Sequence, residues 1–163
     1  MSTDHRDELA HATDPIQRVK LAILGNGVPM AHISFEYSAN VENLVDMNAF
    51  SSHLRDAMRD SGIFPLGGIR VRGVRVDAHA LANGDDQIGF IDMILRMGQG
   101  RDQATRESVV EIVYTAAETW LKPFIGDRPF ALSLEVIEIE KTMSEKRFNN
   151  LHAFLSAGEA NGG

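Results

Sequence analysis

From residue 32 onward the apolar positions of the chain switch between two periods, two and three-to-four, which mark strands and helices respectively. In His32–Ser38 the apolar residues Ile33, Phe35 and Tyr37 fall at every second position, so they share one face of a first strand. Met47, Phe50, Leu54, Ala57 and Met58 then keep helical spacing behind Asp46, an N-cap candidate, and Gly62 with Pro65 supplies a stop. Ile69 to Asp77 reads as a second strand with a slip in its alternation. Ile69 and Val71 share one face, yet Val74 and Val76 rejoin them only if one extra residue enters near Gly73. The pattern therefore predicts a bulge at that glycine, with Arg70, Arg72 and Arg75 together on the polar side.

Asn83-Gly84-Asp85-Asp86 is turn chemistry. A third strand follows from Ile88 to Met97, with Ile91, Met93, Leu95 and Met97 on one face and Phe90, Asp92, Ile94 and Arg96 on the other. Phe90 and Ile94 make the strand apolar on both sides, which predicts that the second face too is covered, by another subunit. Asp102 caps the longest helix, along which Val109, Ile112, Val113, Ala116, Trp120 and Phe124 recur at helical spacing until Pro123 and Gly126 end it. Phe130–Ile139 reads as a fourth strand, Phe148–Leu155 as a last turn or short strand, and Ser156–Gly163 as a flexible tail. The order strand, helix, strand, repeated once, predicts an α+β fold. Duplicated β-α-β units form a four-stranded sheet with two helices on one face, and its open edges call for oligomerisation.

Composition narrows the chemistry. At 163 residues the chain has room for one core: a domain over 30–155, an N-terminal extension over 1–29 and the short tail. Lys and Arg total 16 against 23 Asp and Glu, a net charge of −7 that argues against a nucleic-acid partner. With no cysteine, thiolate nucleophiles, disulfides and cysteine-ligated metals are impossible. The acidic leader holds no signal-peptide core, and no apolar run is long enough to span a bilayer, so the expectation is a cytoplasmic protein without membrane contact. The six histidines lack H-x-x-x-H spacing, and the glycines lack G-x-G-x-x-G, so neither metal nor cofactor is expected. Read alone, Arg70 and Arg72 are the solvated face of a strand. His32, Glu36 and a partly buried Asp92 are candidate bases, more simply read as structural or solvent-facing groups.

The stretches MAHISFEYSANV, SGIFPLGGIRVR, VDAHALANGD, GRDQATR, FALSLEVIEI and FNNLHAFL stand in the order and at the spacing of a known family. Over residues 30 to 155 the chain resembles the 5-carboxymethyl-2-hydroxymuconate isomerases of the tautomerase superfamily. That resemblance implies a trimeric tautomerase-like fold and a cofactor-free proton transfer in aromatic-compound catabolism, moving a double bond in an unsaturated di- or tricarboxylic acid. It also implies that Arg70 and Arg101 bind the carboxylates of a small anionic substrate, while Arg72 and Arg75 remain surface charges. A guanidinium fork meets a carboxylate through two hydrogen bonds, and a polycarboxylate needs more than one such clamp.

The chain departs from the family at the base. The family's mature chain begins with a proline whose secondary amine carries the proton, whereas this sequence has Ala31 at that position, Met30 before it and Pro29 two residues too early. In a chain started at Met1 the Ala31 nitrogen is a peptide amide without basicity. In one started at Met30, methionine removal exposes a primary amine with a pKa near 7.7–8.0. Ala31 is thus a catalytic candidate only when its amine is free. Three readings stay open: an isomerase, a non-catalytic trimer that binds an anionic metabolite, and a structural trimer with an N-terminal arm.

Overall fold

The computed structural model describes residues 30–160, so the 1–29 extension and its expected boundary lie outside the described residues, as do residues 161–163. Strand β1 (Ala31–Ser38) leads through a short 3-10 turn to α1 (Met47–Asp60), and a second 3-10 turn precedes β2 (Ile69–Val76). The second unit is β3 (Gly89–Gly98), α2 (Gln103–Ile125) and β4 (Phe130–Ile139), and α3 (Leu151–Ala160) follows. The sheet order is β2-β1-β3-β4. β1 runs parallel to β2 and β3 parallel to β4, while the central strands β1 and β3 pair antiparallel. Two β-α-β units therefore meet back to back in one mixed sheet.

Both helices cover the same face. Ala31, Ile33, Phe35 and Tyr37 of β1 and Ile91, Met93, Leu95 and Met97 of β3 are buried under Phe50, Leu54 and Met58 of α1 and Val109, Val113, Ala117, Leu121 and Ile125 of α2. The caps are those read from the sequence: Asp46 accepts from the N–H groups of Asn48 and Ala49, and Asp102 from that of Thr105. At the far end of β1 the buried Ser38 hydroxyl donates to Asn40 Oδ1 (2.7 Å) and accepts from Phe90 N–H (3.0 Å), tying β1 to the start of β3.

Five expectations need correcting. There is no bulge at Gly73: β2 pairs with β1 one for one from Ala31↔Ile69 to Ser38↔Val76. Gly73 lies opposite Phe35, whose ring fills the space where a side chain would start, with Cζ 2.5 Å from an ideal Cβ position. The core side of β2 is thus completed by its neighbour's ring, and the apolar series changes face without any change in pairing. Val74 comes out on the side of Arg70 and Arg72 and is half exposed. Arg75 goes to the other side, where it pairs with Glu42 (3.0 Å) and Asp77 (2.9 Å), so the three arginines do not cluster.

On α2 the inner stripe is Val109, Val113, Ala117, Leu121 and Ile125, a strict spacing of four that leaves Ile112 and Trp120 on its flank and Phe124 exposed. Pro123 does not end the helix. It sits in the last turn, and Gly126 with φ 59° closes it. Finally, the segment expected as a turn and a tail is the helix α3, which continues to Ala160.

Candidate functional site

Strand pairing builds the site. His32 on β1 is in register with Arg70 on β2 and with Arg96 on β3, so the three form one row across the sheet. Ala31 and Ile33 point into the core, and alternation sends this row to the opposite face, away from α1 and α2. A cavity of about 310 Å³ opens over the row, lined by Met30, His32, Arg70, Arg96 and Ile139 and walled by the segment after β4, including Lys146 and Phe148.

The groups in the row constrain one another. Arg70 Nη1 lies 3.0 Å from His32 Nε2. A guanidinium has only donors, so the histidine accepts at Nε2 and carries its proton on Nδ1. Burial lowers the His32 pKa to about 4, helped by the positive charges of Arg70, Arg72, Arg96 and Lys146. The ring is neutral at pH 7. The cavity's one carboxylate, Glu145, is engaged elsewhere, pairing with Arg147 Nε at 3.0 Å.

Arg101 reaches the same end of β1 by another route. Met30 O accepts from Gly98 N–H (3.0 Å), and Gly98 O accepts from Arg101 Nη1 (2.7 Å). The Arg101 guanidinium lies over the Phe64 ring, 5.1 Å from its centroid, and its Nε and Nη2 are buried without a hydrogen-bond partner. Burial pushes its pKa down, against the opposing pull of Glu138. Buried N–H donors without acceptors are costly, and a ligand carboxylate is the acceptor a guanidinium suits best. Arg101 is not among the residues lining the Arg70 cavity. Ala31 is fully buried and does not line the cavity, whereas its neighbour Met30 does.

Among the sequence candidates, the structure therefore brings His32 and Arg70 together and sets Arg101 two hydrogen bonds from the Met30–Ala31 peptide. Glu36 and Asp92 pair with each other in register further along β1, away from the cavity. Asp92 is exposed rather than partly buried and accepts from Ser133 Oγ at 2.5 Å. Sequence reasoning missed Arg96 and Lys146. Arg96 was visible on the polar face of its strand, but its place beside His32 depends on the antiparallel register of β1 and β3. Lys146 belongs to an irregular segment with no period to read. Among the described residues no group of three or more His, Asp or Glu is placed to hold a metal ion, and no helix is long and apolar enough to cross a membrane.

Comparison with known proteins gives this geometry a family. The family model described as 5-carboxymethyl-2-hydroxymuconate isomerase matches residues 31–155. The chain is 32% identical over 126 residues to the 5-carboxymethyl-2-hydroxymuconate Delta-isomerase of Escherichia coli, covering 77% of this chain and 99% of that one. A crystal structure of a 5-carboxymethyl-2-hydroxymuconate isomerase from Deinococcus radiodurans R1 superposes with a TM-score of 0.71 at 26% identity, covering 77% and 94% of the two chains. A structure described as a fused 4-OT wild type symmetric trimer shares the fold, with a TM-score of 0.56 at 14% identity over 76% of this chain and 99% of that one. With the family match running from the first residue of β1 into α3, the chain belongs to the 5-carboxymethyl-2-hydroxymuconate isomerase family.

Proposed function

We propose that this protein is a cytoplasmic, cofactor-free isomerase of aromatic-compound catabolism that shifts a proton, and with it a double bond, along an unsaturated di- or tricarboxylic acid. The observation that carries this reading is the cationic cavity at the Met30 end of β1, in a member of a family named for the isomerisation of 5-carboxymethyl-2-hydroxymuconate. Arg70 and Arg101 hold carboxylates, and the proton is carried by the Ala31 amine in a chain that begins at Ala31. Met30 lines the cavity and Ala31 follows it in the chain, so in a chain that begins at Ala31 the free amine would stand where the Met30 peptide now meets the cavity. Neighbouring cations disfavour the ammonium form and so favour the free base.

The assembly that suits the fold is a homotrimer. Among the described residues β2 and β4 are open edges, Val74 and Ile137 are exposed on the face away from the helices, and a fused protein with this fold is described as a symmetric trimer. A second reading has one observation in its favour: in the full chain the Ala31 nitrogen is a peptide amide, which leaves an anion-binding trimer without a base.

Ultraviolet assay of 5-carboxymethyl-2-hydroxymuconate with the full chain and with a chain beginning at Ala31 separates the two. Turnover confined to the Ala31-initiated chain supports the enzyme. Binding without turnover in both chains supports the binder.

A further inference from the structure

The row Arg70–His32–Arg96 has a consequence beyond the two arginines of the family pattern. In a protein of net charge −7, Arg70, Arg96 and Lys146 line one cavity beside His32, and the single carboxylate among its lining residues, Glu145, is paired with Arg147. Arg70 has its Nη1 on that imidazole, and neither Arg70 nor Arg96 forms an ion pair among the described residues. Gathering like charges in one cavity whose carboxylate is already engaged is unfavourable, and a bound anion relieves it. Adjacent strands lie about 4.8 Å apart, so Arg70 and Arg96, flanking β1 on either side, start roughly 10 Å apart at the backbone with the His32 ring between them. Arg70 is held on the His32 ring through Nε2 and Arg96 stands on the ring's other side in the row, so two carboxylates on one short chain can engage both forks at once.

We propose that Arg96 is a specificity-determining residue that takes a second carboxylate of the ligand across His32 from the one held by Arg70, so that the cavity selects polycarboxylates over monocarboxylates. The neutral His32 acts as the spacer: it accepts from Arg70, fixes that guanidinium at the edge of the row, and adds no charge that would attract a lone anion to the centre. This proposal rests on the reading of the cavity as the substrate site, but its test does not need turnover.

The experiment is calorimetric titration of the full chain with glutarate and with butyrate, in the parent and in Arg96→Gln and Arg96→Lys. The parent should bind glutarate at least tenfold more tightly than butyrate. Arg96→Gln should lose about tenfold for glutarate and leave butyrate unchanged, and Arg96→Lys should recover most of the loss. Arg96 is exposed on its strand, and an unchanged thermal melt confirms that the variants are folded. Equal affinity for the two acids in the parent, or a loss in Arg96→Gln that is the same for both, would overturn the proposal. Discrimination that depends on Arg96 in a protein with no isomerase activity would sustain it while removing the catalytic reading.

Discussion

Arg70 donates from Nη1 to His32 Nε2 across 3.0 Å, linking β2 to β1 on the sheet face opposite the helices. The bond fixes the tautomer of the ring and the aim of the guanidinium together. It also makes His32 a reporter for the charge of the cavity.

The first prediction is a pH dependence. The His32 ring has a folded value of about 4 against an ordinary 6.5, set first by burial and then by Arg70 and the other cations. Between those values the unfolded chain binds a proton that the folded chain does not, so stability rises with pH through that window and this contribution is flat above it. Proton NMR should show the ring titrating near pH 4, and Arg70→Ala should move the midpoint upward without restoring 6.5. A ring titrating near 6.5 in the parent would show that the cavity neither buries nor charges it as described.

The two family arginines should respond differently to truncation. Arg70→Ala should weaken dicarboxylate binding by about 1.5–3 kcal/mol with little change in thermal stability, because its partner is one half-buried imidazole. Arg101→Ala should weaken binding by a similar amount and also lower the melting temperature, since it removes packing on Phe64 and the bond to Gly98 O. Calorimetric titration beside a thermal melt checks both, and an Arg70→Ala variant that binds normally would remove Arg70 from the site.

Gly73→Ala should destabilise the fold by about 1–3 kcal/mol, because the new methyl group would meet the fully buried Phe35 ring at contact distances of 2.5–2.6 Å. Urea denaturation measures this. A neutral result would mean that the ring swings aside freely and that the glycine is not needed for the close approach.

These residues show how much was legible in the sequence. The order of the four strands and of the two helices that cover the sheet, both N-caps and the alternation of β1 and β3 are readable because each is a local pattern that tertiary structure does not override. Gly73 was misread because a glycine filled by a neighbour's ring and a glycine in a bulge leave the same interruption in a single strand. The inner stripe of α2 was misplaced because flanking residues such as Trp120, which stacks on His53 at 4.6 Å, are as apolar as those facing the sheet. Arg70 and Arg101 are proposed for the site on the family resemblance. Arg96 is not, since only the register of two strands far apart in sequence puts it beside His32.

Assembly offers a further check. Light scattering should give about three times the 18.0 kDa of the chain, because the open edges and the exposed Val74 and Ile137 call for cover. A clean monomer at micromolar concentration would contradict the proposed trimer.

The most direct measurement is the initial rate of double-bond migration in 5-carboxymethyl-2-hydroxymuconate, followed by ultraviolet absorbance, for four proteins. These are the full chain, a chain beginning at Ala31, the same chain with Ala31→Pro, and that proline chain with Arg70→Ala. The account predicts no turnover by the full chain, measurable turnover once the Ala31 amine is free, a higher rate with proline in its place, and at least a tenfold loss of kcat/KM without Arg70, consistent with the loss of one charge-assisted carboxylate contact. Equal rates in the full and Ala31-initiated chains, or an Arg70→Ala rate equal to its parent's, would contradict it.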